Sequence, residues 1–273
     1  KIEDMREDAL RAKYNAANER NFRWLRLNQW PTTKLSPWLP LDLFDKTIGK
    51  WDNKEQENRI CFIGMDLSST TDLTALCALF PPQGSQQDWR AIWKAFIPAD
   101  NMKERIERDH VDYQKFINND WVIATPGNVV DYGLVFDQII EWVHRYKVKE
   151  ICLDRSFAAM LVQKLEAMDL ECVDIPQNYA TLTNPMNTIE TLMKTEGKFS
   201  HEHNLAARWC FGNTSIAQNG NEQKKYVKEH RGKSVVRTKR IDMTVSLVIA
   251  MARAQFFKFP VDLSESIKKG FSF

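Results

Sequence analysis

Residues 59–80 contain two apolar runs separated by a short polar loop, and this stretch most limits what the chain can fold into. The first run, 60–65, is rich in strand-forming residues and ends at Asp66, where core packing would favour an aliphatic side chain. The second run, 73–80, follows at once, as in a hairpin. An acid at the end of a central strand can hold a metal ion on a rigid element. Aspartate also caps turns, and Asp66 taken alone fits that role better.

The composition is that of an ordinary globular protein, with 43% hydrophobic and 27% charged residues in a chain of 273. No apolar run approaches the roughly 18 residues of a membrane span, so no membrane contact is expected. The five cysteines stand singly inside apolar runs, which predicts buried thiols in a reducing compartment rather than disulfides or a zinc site. The chain begins at Lys1 rather than Met, and we expect it to be a piece of something longer.

Later apolar runs predict further strands of the same sheet. A third strand at 89–97 would complete an antiparallel meander with the first two. Strands at 149–154 and 171–175 alternate with helices at 133–146 and 156–168, which indicates parallel pairing. We therefore expect an α/β fold, with a mixed sheet of five or slightly more strands flanked by helices.

The flanking segments predict three regions. Residues 1–58, a polar helix followed by a proline- and tryptophan-rich segment, are expected to form an arm that docks on the body or joins a preceding domain. Residues 59–260 would form the body, and 261–273 a tail. Within the body, helices are also predicted at 187–196 and at 241–256.

Three aspartates are the candidate chemical groups. Asp66 and Asp154 each end an apolar strand, and Asp242 opens the helix at 241–256, where an acid also suits the helix dipole. If the three carboxylates converge, they repel one another unless a hard divalent cation neutralises them. Mg²⁺ or Mn²⁺ fits an oxygen-only cluster, and two such ions can clamp the attacking and leaving oxygens of a phosphodiester hydrolysis.

Other polar residues are candidates for a supporting role. Asp72 is either a fourth ligand, an acid behind the ligands, or a turn residue, and Ser68 stands in the same loop. His203 could orient a ligand or a phosphate, although a histidine before an asparagine at a helix start is more often a cap.

The positive charge is concentrated in one segment. The net charge is only +2, yet 219–240 holds eight basic residues against two acids. Because this segment leads directly into Asp242, we predict that it contacts a DNA backbone with little dependence on base sequence; a solvated loop is the alternative. The residues predicted to contact DNA are Arg231, Lys233, Arg237, Lys239 and Arg240.

Several separated motifs resemble those of one protein family. The strings GMDLS at 64–68 and DLTA at 72–75 resemble the first motif of the C-terminal nuclease domain of tailed-phage large terminase subunits. RID at 240–242 and AMARA at 250–254 resemble the last motif. Further matches between them follow the family's order, at Asn184-Pro185-Met186, Gly197-Lys198, His203-Asn204, Trp209 and Asn213.

The resemblance implies a ribonuclease H-like fold and the cutting of concatemeric double-stranded viral DNA during packaging, with Mg²⁺ or Mn²⁺ as cofactor. It maps the metal-holding catalytic acids onto Asp66, Asp154 and Asp242, and His203 also matches a family position. It implies double-stranded DNA, an upstream ATPase domain of the same protein, the portal and the small terminase subunit as partners, in the host cell cytoplasm. Arg155-Ser156 follows the second acid, where the family often has a proline–aromatic pair.

Two other functions stay open on the sequence. No GxxxxGK[ST] phosphate loop occurs in these residues, so we expect the packaging motor to lie upstream of Lys1. A junction resolvase or transposase-like enzyme of the same architecture could use the same acids. A non-catalytic docking module for a portal or capsid would keep them only as structural groups.

Overall fold

A seven-stranded mixed sheet forms the centre of the molecule. The computed structural model describes residues 2–12, 22, 26–27, 37–68, 72–154, 159–228, 230–231, 234–235 and 239–259. The strands of the sheet are β1 (Ile60–Asp66), β2 (Thr74–Phe80), β3 (Trp89–Pro98), β4 (Val122–Thr125), β5 (Lys147–Leu153), β6 (Cys172–Asp174) and β7 (Phe199–His201). Their order is β4-β3-β2-β1-β5-β6, and β7 also pairs with β3.

Helices flank this sheet, as predicted. In chain order the helices of the molecule are α1 (Ile2–Ala12), which is mostly exposed, α2 (Leu41–Lys46), α3 (Met102–Asp109), α4 (Tyr113–Asn118), α5 (Tyr132–Arg145), α6 (Ala159–Glu166), α7 (Tyr179–Lys194), α8 (Leu205–Asn213) and α9 (Asp242–Ala254). Two hairpins follow α8, formed by β8 (Thr214–Gln218) with β9 (Lys224–Lys228) and by β10 (His230–Arg231) with β11 (Ser234–Val235). None of the helices in the described ranges has the length and apolarity needed to cross a membrane.

The pairing pattern of the sheet is the predicted one. β1, β2 and β3 form an antiparallel meander, whereas β5 pairs in parallel with β1 and β6 in parallel with β5. β1 is covered on both faces: Phe62 belongs to one core cluster, and Cys61 and Ile63 belong to the other. A strand buried on both faces has no solvent side, and this is why its sequence is almost continuously apolar.

Helix α9 lies inside the core. Every residue of it except Arg253 is buried, and Arg253 reaches out to Glu150 at 2.6 Å. A helix buried all round is apolar on nearly all sides, and after its first residue this one has only Thr244, Ser246 and Arg253 as polar side chains. A Cβ placed on Gly64 of β1 would lie 2.0 Å from the Ser246 carbonyl oxygen, so only glycine allows the helix to approach this closely. This contact fixes the position of α9 against β1.

Helix α7 begins earlier than the sequence prediction, which was wrong on this point. The prediction places this helix at 187–196, whereas a proline, here Pro185, removes a backbone hydrogen bond and usually ends a helix. In the structure the helix begins at Tyr179, where the Asn178 side chain accepts a hydrogen bond from the Thr181 amide at 3.0 Å. Leu182 is fully buried in this first part, and its packing offsets the bond that Pro185 cannot make.

Residues 37–58 pack against the body of the fold. Trp38 and Phe44 belong to the larger core cluster. The His201 amide donates to the Thr47 carbonyl at 3.0 Å, and the Gly49 amide donates to the His201 carbonyl at 2.8 Å, so this segment extends the sheet beyond β7. The domain boundary at residue 58 stays a prediction, and the predicted tail at 261–273 lies outside the described residues.

The outer edge of β3 is divided between two short strands. β7 pairs with its first three residues and β4 with its last four. Between them, the Trp93 amide donates to the Glu202 carboxylate at 2.8 Å, and Asn204 also donates to this carboxylate, at 3.0 Å. The Glu202 side chain therefore takes the place of a strand over this gap.

Candidate functional site

Asp66 and Asp154 leave the sheet side by side. Met65 of β1 is paired with Leu153 of β5, and the next residue in each chain segment is the aspartate. Because the two strands are parallel neighbours, their carboxyl ends share one edge of the sheet. The position of these two acids is the one that the sequence predicts.

Asp242 reaches the same place from the first residue of α9. Its side chain is 3% exposed, and its Oδ2 has no hydrogen-bond partner among the described residues. Burial raises the pKa of Asp242 to about 6; Lys228 opposes this rise and Asp72 adds to it. A buried carboxylate oxygen without a partner is costly, so this atom is free to bind a ligand.

The electrostatics of Asp66 show that the acids lie close together. Burial raises the pKa of Asp66 well above its usual range, and Asp242, Asp72 and Asp154 raise it further, whereas Lys228 lowers it. Like charges have this effect only at short range. We refer to Asp66, Asp72, Asp154 and Asp242 as the acid cluster.

Asp72 is held by both its loop and its cationic neighbours. Its amide donates to the Ser68 hydroxyl at 3.2 Å, so Ser68 shapes the loop that carries it. The Lys228 ammonium lies 2.6 Å from one carboxylate oxygen, and Arg240 binds the other. Burial alone would raise the pKa of Asp72, but the contacts with Lys228 and Arg240 outweigh it and hold the pKa below the usual value.

Arg240 lies inside the protein and not, as the sequence predicts, on a surface that could contact DNA. The sequence interpretation assigns it to DNA contact, but the residue is 2% exposed. Its guanidinium bridges Asp72 and Asp109, with its Nη2 3.1 Å from an Asp109 oxygen. A buried arginine with two carboxylate partners is an internal counter-ion, and its charge does not reach a DNA backbone. This assignment is therefore corrected.

Strand β9 brings two further residues to the acid cluster that the sequence interpretation missed. Lys228 contacts Asp72, and Tyr226 is 7% exposed with a hydroxyl that has no partner among the described residues. Burial, followed by Asp66 and Asp154, raises the pKa of Tyr226. The signal that could have found them is the alternation of side chains along a strand, because Tyr226 and Lys228 are two residues apart and therefore share a face.

The remaining predicted residues lie elsewhere or outside the description. The ring of His203 packs against Trp121, on the far side of β2 and β3 from Asp66. Lys239 is half-buried, and the main chain of Arg231 belongs to β10. Lys233 and Arg237 lie outside the described residues.

The acid cluster fits a divalent cation in its chemistry but is not arranged around one. Among the described residues, no three His, Cys, Asp or Glu side chains stand in position to bind a metal ion together. Asp72 is instead engaged by Lys228 and Arg240. The donors are all carboxylate oxygens, which Mg²⁺ and Mn²⁺ prefer, and no described residue binds Asp242 Oδ2. These residues therefore fit a hard divalent ion after a local adjustment of their side chains.

The chain resembles known proteins over most of its length. Protein YmfN of Escherichia coli (strain K12) is 26% identical over 267 residues, which are 94% of this chain and 57% of that protein. The terminase large subunit of Enterobacteria phage HK97 is 25% identical over 264 residues, or 92% and 48% of the two chains. This chain thus spans about half the length of these relatives.

A solved structure and a family model agree with these matches. The crystal structure of the HK97 large terminase has a TM-score of 0.70 at 23% identity, and the match covers 93% of this chain and 51% of that one. The predicted α/β fold, a mixed sheet flanked by helices, is confirmed and is shared with this structure. Residues 1–257 match the family described as terminase large subunit, endonuclease domain. The chain therefore belongs to the endonuclease-domain family of terminase large subunits.

Proposed function

We propose that this chain is a divalent-metal-dependent DNA endonuclease that cuts concatemeric double-stranded viral DNA during genome packaging, with Mg²⁺ or Mn²⁺ as cofactor. The observation that carries the proposal is the buried Oδ2 of Asp242, which has no hydrogen-bond partner in the described part of the chain and lies near other carboxylates. A docking module without catalysis would gain nothing from such a costly arrangement. Family membership supports the nuclease assignment.

Each residue of the site has a role in this proposal. Asp66, Asp154 and Asp242 supply the carboxylate oxygens, from two strand ends and one helix start that are rigidly packed. Bound divalent ions would supply a polarised water and would stabilise the negative charge that develops on the phosphate. The charges of Asp66 and Asp154 act on the buried hydroxyl of Tyr226, which would donate a hydrogen bond to a water or phosphate oxygen at this site.

The basic segment before α9 would hold the DNA at this site. Arg231, Lys233, Arg237 and Lys239 all belong to the segment that runs into Asp242. Lysines and arginines bind phosphates regardless of base sequence, so we propose contact with the DNA backbone rather than with base edges. Arg240 has no part in this contact because it is buried.

Cleavage of plasmid DNA tests the proposal. The protein is incubated with supercoiled plasmid in Mn²⁺, in Mg²⁺ or in excess chelator, and nicked and linear products are measured. We expect cleavage with either metal and none with chelator. Asp242→Asn should lower the cleavage rate roughly a thousandfold, which corresponds to about 4 kcal/mol of transition-state stabilisation.

Asp169→Asn is the matched control for this experiment. Asp169 is exposed and has a φ of 59°, a left-handed conformation that asparagine adopts as readily as aspartate. This variant should cleave at the wild-type rate. Cleavage that persists in chelator, or an Asp242→Asn variant as active as Asp169→Asn, would refute the proposal.

A further inference from the structure

Asp72 is the member of the acid cluster that no strand or helix carries. Asp66 ends β1, Asp154 follows β5, and Asp242 opens α9. Asp72 lies instead between the end of β1 and the start of β2, so its place depends on the contacts of its own loop and side chain. One of these contacts, the ion pair with Arg240, leads away from the site.

Arg240 connects Asp72 to Asp109, a buried acid with no part in the chemistry proposed above. Its Nη1 binds Asp72, and its Nη2 lies 3.1 Å from an Asp109 oxygen. A planar guanidinium can hold two carboxylates at once in a fixed geometry, whereas the ammonium of a lysine is a point charge on a flexible stem. Asp109 therefore sets the direction from which Arg240 reaches Asp72.

Asp109 is held firmly enough to act as an anchor. It ends α3, where a negative charge opposes the helix dipole, so the helix itself gains nothing from an acid at this position. The residue is 6% exposed, and its carboxylate accepts a hydrogen bond from the Tyr113 hydroxyl at 2.7 Å. The Arg108 guanidinium donates to both of its oxygens, at 2.7 and 2.9 Å. These bonds fix the carboxylate independently of Arg240.

The main chain of Arg240 has a separate support. The Asn213 side chain donates to its carbonyl at 3.2 Å, and the close contact with Gly64 fixes the helix that follows. Loss of the Asp109 charge would thus release the Arg240 side chain while α9 stays in place. The effect of Asp109 on the site is therefore confined to Asp72.

We propose that Asp109 is a positioning residue of the nuclease site, which holds the Arg240 guanidinium so that Asp72 keeps its place among the other carboxylates. This inference rests on the proposed function, because the site that it concerns is the one proposed to cut DNA. Asp109 is buried, so it acts only through Arg240 and not by contact with DNA. The role also makes Asp72 necessary for fast cleavage.

Rates of plasmid cleavage in Mn²⁺, measured over a range of DNA concentrations, test this inference. We expect Asp109→Asn to lower kcat at least tenfold and to leave the KM for DNA within twofold, because asparagine keeps the shape of aspartate but not the charge that holds Arg240. Asp112→Asn is the matched control. Asp112 is exposed and caps α4 by accepting from the Lys115 amide, a role that asparagine fills equally well, so this variant should have the wild-type kcat and KM.

A double-mutant cycle separates positioning from a general loss of stability. Asp72→Asn alone should lower kcat at least tenfold, and adding Asp109→Asn to it should lower kcat less than twofold further, because no carboxylate is left to position. A residue needed only for folding would lower activity by the same factor in both backgrounds. If Asp72→Asn shows no detectable cleavage, urea midpoints in chelator give the cycle without activity. The shift for the double variant should then exceed the sum of the single shifts, because Arg240 is buried without either partner.

Two further variants keep the test decisive if Asp109→Asn is unfolded. Arg240→Lys keeps the charge but not the planar fork, and it should lower kcat by a similar factor. Arg108→Met removes two hydrogen bonds from Asp109 but leaves Arg240 in contact with it. This variant should lower the urea midpoint and yet keep kcat within twofold of the wild type.

The results distinguish the inference from the function on which it rests. Wild-type kcat in Asp109→Asn or in Arg240→Lys, equal losses in both backgrounds of the cycle, or an Arg108→Met variant as inactive as Asp109→Asn would each overturn the role of Asp109 while the nuclease proposal stands. A wild type that cleaves no DNA contradicts the proposed function and this inference together.

Discussion

Asp242 is a carboxylate whose burial in the fold disfavours its charged form. It is buried among other acids, and its pKa is raised to about 6, compared with about 3.9 for an aspartate in water. The folded protein therefore binds this proton more tightly than the unfolded chain. The resulting contribution to stability is present below about pH 4 and is lost as the pH rises through 6.

This loss of stability with rising pH can be measured against a variant that lacks the acid. In chelator, the free energy of unfolding of the wild type should fall relative to that of Asp242→Asn between pH 4 and pH 7.5, by on the order of 3 kcal/mol. Asparagine does not titrate, so the difference between the two proteins reports the titration of Asp242 together with the effect of its charge on Asp66. Urea unfolding at several pH values measures it, and parallel pH profiles for the two proteins would contradict it.

The acids of the site could be predicted at the residue scale, whereas their neighbours could not. Asp66 and Asp154 each follow an apolar run directly, and such a position puts an acid at a strand end. Lys228 and Tyr226 carry no comparable signal, because their place depends on how the hairpin of β8 and β9 folds over the sheet. In the sequence, nothing distinguishes Arg240 from the other basic residues of its segment. Only the fold brings it into contact with Asp109, which is distant in sequence.

At the scale of elements, the contact of α9 with β1 positions Asp242 relative to Asp66. The contact depends on Gly64, since an added Cβ would meet the backbone of α9 at Ser246 and at Ala250. Backbone atoms of a buried helix cannot move aside as a flexible side chain can. The sequence predicts both elements but not this contact, because nothing in either element alone shows that they touch at a glycine.

Gly64→Ala should therefore destabilise the protein by about 3 kcal/mol or more. Gly220→Ala is the matched control, because a Cβ there meets nothing within 4 Å. That variant should unfold within about 0.5 kcal/mol of the wild type. Denaturant midpoints measure both, and equal midpoints would mean that α9 can shift away from β1 at little cost.

At the scale of the whole molecule, the segment before β1 is packed into the folded unit. The predicted arm contributes Phe44, which is 1% exposed and packs against His201 with 4.0 Å between ring centres. The same stretch also pairs with β7 through Thr47 and Gly49. Proline and tryptophan content indicates a packed segment, but the sequence does not show that it completes the sheet. We propose that the stable unit includes residues 37–58.

Two shortened chains test this proposal. A chain that begins at residue 37 should unfold cooperatively near the wild-type temperature. One that begins at residue 59 should be markedly less stable, because the loss of Phe44 alone removes about 3–5 kcal/mol of core packing. Thermal unfolding followed by circular dichroism compares them. Equal melting temperatures would place the boundary at residue 58 after all.

The divided outer edge of β3 bears on how the protein behaves at high concentration. An uninterrupted edge strand offers a row of amides and carbonyls to which a second chain can add. Here β4 and β7 are each only a few residues long, and the Glu202 carboxylate takes the amide between them. A foreign strand would have to displace a charged group that already has several hydrogen bonds. The irregularity thus protects the sheet against edge-to-edge aggregation.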